Sequence, residues 1–179
     1  MTAMDQLIER CIKGERKAQR ELYDLFSAKM FVVALRYTKA RQEAEDILQE
    51  SFIKVFDRIK GFTKKAKLET WIHKIVINTA LNNNRGKLYM FPMSDVEVLT
   101  ENEDDEMIIS AYSLDELLEM IRELPTGCQV IFNLFAIEGY NHREIAKKLN
   151  ISAGTSKSQY ARAKMLLQKR LKKESVHYG

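Results

Sequence analysis

The sequence is poor in the residues that interrupt helices. Only 7 glycines and 2 prolines occur among its 179 residues, while Leu, Ile, Lys, Glu and Ala are abundant, which favours helices over turn-rich sheets. No stretch shows the strong alternation of apolar and polar residues that a half-buried strand requires. Hydrophobic residues make up 45% of the chain and charged residues 30%, a normal globular balance. The sequence therefore predicts an all-α protein.

Cysteines and long apolar runs are also scarce. Cys11 and Cys128, the only two cysteines, each lie in a helical apolar pattern, which indicates reduced thiols in a core, with a redox role as the alternative. The longest apolar run, at residues 30–35, is too short to cross a bilayer. The first ten residues lack the uninterrupted apolar stretch of a secretory signal. We therefore expect a cytoplasmic protein that does not insert into a membrane.

Motifs of catalysis are missing from the sequence. Three histidines are present, but there is no HExxH, no CxxC, no phosphate-binding glycine loop and no nucleophile–base pair. We expect neither an enzymatic activity nor a metal or other cofactor.

Charge is concentrated in blocks, although the net charge is only +4. Residues 94–107 contain seven acidic residues and no basic one, whereas residues 52–87 contain nine Lys or Arg against two acids. From residue 142 to the end, ten Lys or Arg stand against two acids. Two basic blocks around an acidic connector indicate two modules that each face a polyanion.

Apolar periodicity divides the chain in the same way. Residues 4–59 carry three helical patterns, and a fourth begins at 68 and has an Asn-rich end by composition at 82–86. Residues 88–110 show little periodicity, and Pro125 then separates two further helical patterns. We therefore predict a first helical domain at 1–87, an acidic linker at 88–112 and a second helical domain at 113–179.

Residues 141–170 have the spacing of a helix-turn-helix. Asn141 and Glu144 form a capping-box pattern, Asn150 tolerates the left-handed conformation of a tight turn, and Ser152 can cap the next helix. That second helix is very basic, yet it begins with small and hydroxylated residues that are only moderate helix formers. Such an entry suits a recognition helix whose backbone must come close to DNA.

This reasoning gives a set of candidate contacts with duplex DNA. Lys157, Arg162 and Lys164 can pair with phosphates, and Gln159 can make a two-pronged contact with adenine. The small residues allow a close approach. The full set is Thr155, Ser156, Lys157, Ser158, Gln159, Arg162 and Lys164. The alternative is an ordinary helical hairpin with a solvated basic face.

Two motifs together resemble a known family. The stretches EAEDILQESFIKVFDRIKGF at 43–62 and LETWIHKIVINTA at 68–80 resemble region 2 of bacterial sigma-70-type factors. The stretch REIAKKLNISAGTSKSQYARAKMLL resembles their region 4. With these two regions and a short linker, the chain is similar to the extracytoplasmic-function group. The resemblance implies a non-enzymatic subunit that gives core RNA polymerase its specificity for promoter DNA, commonly held inactive by an anti-sigma factor.

The resemblance assigns two tasks to the first module. One helix would dock on the clamp coiled coil of the largest polymerase subunit through Asp46, Gln49, Glu50 and Ile53, which otherwise form the wet face of an amphipathic helix. The second task is to read and melt the promoter −10 element, which requires stacking surfaces and cations. The residues that match this surface are Phe62, Lys64, Lys65, Lys67, Trp71, Lys74 and Asn78. Packing in the core is the alternative for Trp71, and also for Tyr37.

The chain departs from the family in region 4. Ser156 stands where an apolar residue is usual, so we expect looser packing there, and Gln159 stands where Arg is common. Region 4 in the family reads the −35 element as duplex DNA. The acidic linker has two open interpretations, a strand that threads toward the polymerase active-site cleft or a solubilising spacer. A stand-alone helix-turn-helix regulator is the alternative function.

Overall fold

The structure is a computed structural model that describes the backbone of residues 1–90 and 113–177 and the side chains of 1–88 and 113–173. Within these ranges the regular structure is helical and contains no strand, which confirms the all-α prediction. Contacts divide the chain into two compact units, Met1–Asn83 and Asn84–Gly179. The acid-rich stretch at 94–107 lies outside the described residues.

The first unit is built from four helices and one short turn. The helices are α1 (Ala3–Ile12), α2 (Arg16–Leu35), α3 (Arg41–Arg58) and α4 (Leu68–Met90), and a 3-10 turn (Ile59–Gly61) follows α3. Helix α4 runs past Asn83, where the first unit ends. The break between α1 and α2 falls at Gly14, whose φ of 80° is one that glycine adopts readily. Buried residues recur at helical spacing along α3 and α4, among them Phe52, Val55, Ile72 and Val76. This spacing gives each helix one apolar face.

The Asn-rich segment at 82–86 was expected to end the fourth helix, and this prediction is wrong. Helix α4 continues to Met90, so the first three residues of the predicted linker are helical. The physical reason lies in burial, because Leu81, Asn84 and Leu88 follow one another at intervals of three and four and are all buried. A continuous buried face outweighs the weak helix propensity of three asparagines.

The second unit contains four more helices. They are α5 (Leu114–Glu123), α6 (Thr126–Phe132), α7 (His142–Leu149) and α8 (Ala153–His177). Helix α6 passes into a π-helical turn, Asn133–Ile137, in which the amide of Glu138 donates to the carbonyl of Asn133 at 2.9 Å. The Asn133 side chain donates to the carbonyl of Gln129 at 2.9 Å, which satisfies a backbone group next to this irregular turn.

The helix-turn-helix prediction is confirmed by the caps of α7 and α8. Asn141 and Glu144 form the expected capping box, and Asn150 is left-handed at φ 54° and ψ 51°. Ser152 accepts a hydrogen bond from the amide of Thr155 at 2.9 Å. Helix α8 packs into the core of this unit through Ala163 and Leu167, so its position is fixed by apolar contacts.

Candidate nucleic-acid and polymerase interfaces

The entry of α8 presents an open, small-residue surface. Gly154 is exposed, and a Cβ at this position would meet only the Ser152 hydroxyl, at 3.7 Å. The fold itself therefore does not require glycine at this position. Lys157 is exposed one turn further on, while Thr155, Arg162 and Lys164 are half-buried. The geometry is that of a helix end that a second surface can approach closely.

Three of the predicted DNA contacts on α8 lie in the interior instead. Ser156 is fully buried, and the side chains of Ser158 and Gln159 are nearly so. Ser158 donates to the carbonyl of Thr155 at 3.1 Å. Gln159 accepts a hydrogen bond from the thiol of Cys128 at 3.1 Å. Because these three side chains are buried, the candidate set that can face DNA is reduced to Thr155, Lys157, Arg162 and Lys164.

His142 is a residue that the sequence reasoning missed. Its Nδ1 lies 2.8 Å from the hydroxyl of Ser156, and its ring stacks on Phe135 with centroids 4.4 Å apart. The unusual serine at 156 is therefore matched by a polar partner on the preceding helix, and the packing is not simply looser. The departure at Ser156 was the available signal, because a buried hydroxyl needs a hydrogen-bond partner.

An aromatic pair marks the candidate −10 surface on the first unit. The rings of Phe62 and Trp71 are 5.4 Å apart and inclined at 50°, and both residues are half-buried. Trp71 is therefore not a core residue, and its ring is in contact with that of Phe62. Tyr37, in contrast, is fully buried, so the packing interpretation holds for it.

Charged and amide groups lie on the same helix as Trp71. Lys74 and Asn78 lie one turn apart on α4, where Asn78 is exposed, while the intervening Ile75, Val76 and Ile77 are buried. Lys65 and Lys67 are exposed in the loop that precedes α4. We name Phe62, Lys65, Lys67, Trp71, Lys74 and Asn78 the −10 surface. It contains two aromatic rings, three lysines and an amide, and single-stranded DNA binding commonly uses aromatic side chains beside cations.

Lys64 is the exception in this loop, because its ammonium is already paired. Nζ of Lys64 lies 2.6 Å from Oδ1 of Asp5 on α1. The hydrogen bond from Lys64, followed by those from the backbone and side chain of Thr2, holds the pKa of Asp5 well below its ordinary value. The structure therefore places Lys64 in an intramolecular contact that the sequence did not predict.

The predicted polymerase contacts share one face of α3. Gln49, Glu50 and Asp46 lie along it together with Ile53, and we name these four residues the docking face. Ile53 is 62% exposed, and among the described residues Leu25 and Leu114 are exposed to a similar degree. Lys54 pairs with Glu50 at 2.6 Å. An exposed apolar residue beside carboxylates is typical of a protein interface with a charged rim.

A groove adjoins this face between α2 and α3. Its volume is about 390 Å³, and its lining includes Tyr23, Phe31, Arg41 and Gln49. The Arg41 guanidinium lies 4.9 Å from the centre of the Phe31 ring, a cation–π distance. Gln49 thus belongs both to the docking face and to the groove.

Within 1–90 and 113–177 there is no His, Cys, Asp or Glu cluster suited to a metal and no helix that could span a membrane.

Two family models match this chain, one in each unit. The model described as Sigma-70 region 2 matches residues 22–87, and the model described as Sigma-70, region 4 matches residues 114–167. Their order along the chain is the order of the two units. The docking face and the −10 surface fall within the first match, and the helix-turn-helix falls within the second.

Similar proteins match over nearly the whole chain. The RNA polymerase sigma-H factor of Pseudomonas aeruginosa is 28% identical, across 93% of this chain and 92% of that protein. The ECF RNA polymerase sigma-E factor of Haemophilus influenzae is 27% identical, across 92% of this chain and 93% of that protein. A solved structure of the sigma factor RpoE with the anti-sigma factor NepR, from Bartonella quintana, matches the fold with a TM-score of 0.52 and 20% identity. That match covers 86% of this chain and 96% of the other.

Proposed function

This chain belongs to the extracytoplasmic-function group of the sigma-70 family of RNA polymerase sigma factors, and we propose which of its residues carry out the work of such a factor. As a sigma factor, it binds core RNA polymerase and directs it to start transcription at promoters. The observation that carries this function is the presence of regions 2 and 4 in one chain, in order. A stand-alone helix-turn-helix regulator is not favoured, because it gives no account of region 2.

We assign the −35 element to the helix-turn-helix. The N-terminal turn of α8 would enter the major groove, where Gly154 and Thr155 allow the backbone to approach. Lys157, Arg162 and Lys164 would contact phosphates and fix the register of the helix on the duplex. Ser156, Ser158 and Gln159 have no direct part in this contact, because they are buried within the unit.

We assign the −10 element to the −10 surface. Bases that leave the stack need an aromatic platform, which the Phe62–Trp71 pair supplies at a ring distance of 5.4 Å. Asn78 can both donate to and accept from the exposed edge of an unpaired base. Lys65, Lys67 and Lys74 would neutralise the phosphates of the same strand.

We assign the polymerase contact to the docking face. Ile53 supplies an apolar anchor, and Asp46 and Glu50 supply the charged rim that fixes orientation. The partner would be a helical element of the polymerase clamp, as the family resemblance implies. We further propose that the chain acts in the cytoplasm, where polymerase and DNA are found, and that it has no enzymatic activity of its own.

Two wider features are also proposals. The domains would be a first module ending near residue 87, a linker around the acidic stretch 94–107 and a second module starting near 113. An anti-sigma factor would hold the protein inactive, as the family resemblance implies; the similar sigma factor from Bartonella quintana is in complex with the anti-sigma factor NepR. We expect the chain to co-purify from its host with a small inhibitory partner. This partner should be released before the chain takes part in transcription.

Run-off transcription with purified core polymerase tests the function. The account predicts promoter-specific product only when chain and core are both present, and weak promoter binding by the chain alone. A gel shift with and without core separates this from a stand-alone regulator, which would bind an operator tightly by itself. The absence of a promoter-dependent product on a genome-wide template library would contradict the proposed function.

A further inference from the structure

The loop at 63–67 has a backbone conformation that its sequence does not favour. Lys64 has a φ of 58°, in the left-handed region that residues with a Cβ seldom occupy. Among the described residues the other non-glycine case is Asn150, an amino acid suited to that region. A lysine in this conformation needs a contact that holds it there.

The structure shows one such contact for Lys64, its ion pair with Asp5. The Asp5 carboxylate is already oriented, because its Oδ2 accepts hydrogen bonds from the amide of Thr2 at 2.8 Å and from its hydroxyl at 2.9 Å. Oδ1 is left for Lys64, at 2.6 Å. A carboxylate fixed by a capping box loses little further freedom when it binds the ammonium, unlike the two mobile partners of an ordinary surface ion pair.

Helix α1 is itself firmly attached next to this loop. Leu7, Ile8 and Cys11 are buried, and α1 packs against the 3-10 turn Ile59–Gly61. The amide of Phe62 donates to the carbonyl of Ile59 at 3.1 Å, so the packed turn leads directly into the −10 surface. Asp5 therefore connects a rigid element to a loop flanked by Phe62 and Trp71.

We propose that Asp5 is a positioning residue for recognition of the −10 element. Through its ion pair it holds Lys64 in the left-handed conformation, and the loop then presents Lys65 and Lys67 to the melted strand beside the Phe62–Trp71 rings. Lys64 serves as an intramolecular tie and contacts no phosphate. This inference rests on the proposed role of the −10 surface and adds α1, which lies outside the matched region 22–87, to the promoter-reading machinery.

The test compares variants of the full chain assembled with core polymerase. Asp5→Asn keeps an oxygen for the Thr2 amide but loses the charge that holds Lys64. Lys64→Met removes the ammonium, whereas Lys64→Gly removes it and tolerates the left-handed turn. Asp24→Asn is the matched control, because Asp24 forms an exposed ion pair with Arg20 within α2 at 3.0 Å. Open-complex formation is measured on a promoter with an intact −10 element and on one with that element scrambled, across salt concentrations.

The expected results separate a tie from a phosphate contact. Asp5→Asn and Lys64→Met should each lower −10-dependent open-complex formation by about five-fold, and the double variant should lose no more than either single one. Lys64→Gly should stay within about two-fold of the wild type, because glycine reaches the same backbone conformation unaided. The salt dependence should not change. Thermal unfolding of the variants shows that a lower signal does not come from loss of fold.

Several outcomes would overturn the proposal. If Asp5→Asn behaves like Asp24→Asn, the ion pair has no part in promoter reading. If Lys64→Met and Lys64→Gly fall equally and both reduce the salt slope by about one, Lys64 is a phosphate contact. Failure of the wild-type chain to give any promoter-specific complex would instead contradict the proposed function, and that failure is visible before any variant is compared.

Discussion

At the scale of single residues, the first turns of α8 divide sharply between inside and outside. Ser156, Gln159, Ala163 and Leu167 follow at intervals of three and four and are all buried, while Lys157 is exposed between the first two. The two polar members of the buried series have partners, His142 for Ser156 and Cys128 for Gln159. Polarity alone thus does not identify a DNA contact on this helix.

Replacing Ser156 tests whether a buried polar residue of α8 stabilises the fold and has no part in DNA binding. Ser156→Ala removes the oxygen that lies 2.8 Å from His142 Nδ1, so the free energy of unfolding should fall by about 1 to 3 kcal/mol. Duplex binding measured well below the melting temperature should be unchanged. Lys157→Ala is the matched control from the outer side: its unfolding free energy should stay within about 0.5 kcal/mol, while the salt slope of DNA binding falls by about one. If Ser156→Ala weakened DNA binding and Lys157→Ala lowered stability instead, the assignment of Ser156 to the interior and of Lys157 to the DNA contact would be contradicted.

The errors of the sequence-based prediction at this scale have a physical cause. A hydroxyl or amide side chain can satisfy DNA or the protein interior equally well, so Ser156 and Gln159 were ambiguous by chemistry. Their spacing of three and four residues in a series with Ala163 and Leu167 indicated that they lie on the buried face of α8. The Asp5–Lys64 contact could not be predicted, because it joins positions far apart in the sequence and depends on the path of the loop.

At the scale of secondary-structure elements, the first turn of α8 contains a glycine, which lowers the stability of the helix but leaves its backbone accessible. Gly154 lies in the first turn of the helix, and nothing but the Ser152 hydroxyl would come within 4 Å of a Cβ at that position. Glycine therefore stands at a position where the fold has room for a larger residue. In the proposed function DNA approaches the helix at this point, since backbone groups at a helix N-terminus can contact phosphate directly.

Gly154→Ala separates the needs of the helix from those of DNA. The substitution should raise the unfolding free energy by about 0.5 to 1 kcal/mol, because alanine loses less backbone entropy. Binding to a −35 duplex should weaken by roughly 1 kcal/mol, or about five-fold. Gly86→Ala is the control, because Gly86 lies in helix α4 and also has open space around its Cβ position. It should show the gain in stability with no change in duplex affinity; equal affinity for both variants would refute the account of Gly154.

The helices themselves were largely predictable, and α4 shows where prediction failed. Capping residues such as Asn141 and a left-handed turn at Asn150 act locally, so their sequence signals were sufficient. The end of α4 depends on burial of Leu88, a tertiary effect that composition at 82–86 does not record. Local propensity is a weak guide wherever packing decides.

At the scale of the whole molecule, the proposed contacts with polymerase and DNA fall on distinct surfaces. The docking face and the −10 surface lie on the first unit, and the recognition helix lies on the second. The docking face carries the exposed Ile53, and the −10 surface carries exposed lysines on α4 and in the loop before it. Separate surfaces predict separable defects in function.

Ile53→Ala should damage assembly with polymerase alone. Loss of an apolar anchor at an interface typically costs about 1 to 2 kcal/mol, which corresponds to roughly 5- to 30-fold in affinity for core. Leu25→Ala is the control, because Leu25 is also exposed, at 55%, but lies on α2 outside the docking face. Binding to core is measured by fluorescence titration with each variant. A larger loss for Leu25→Ala than for Ile53→Ala would move the docking site away from α3.

The most direct test of the account pairs one variant from each unit with one defect in each promoter element. Open complexes are counted for Asn78→Ala and Lys157→Ala holoenzymes on promoters with an intact, a −10-scrambled or a −35-scrambled sequence. We predict that the Asn78→Ala defect persists when the −35 element is scrambled and disappears when the −10 element is, and that Lys157→Ala behaves in the opposite way. If both variants respond to the same element, or to neither, the two units do not divide promoter reading as described.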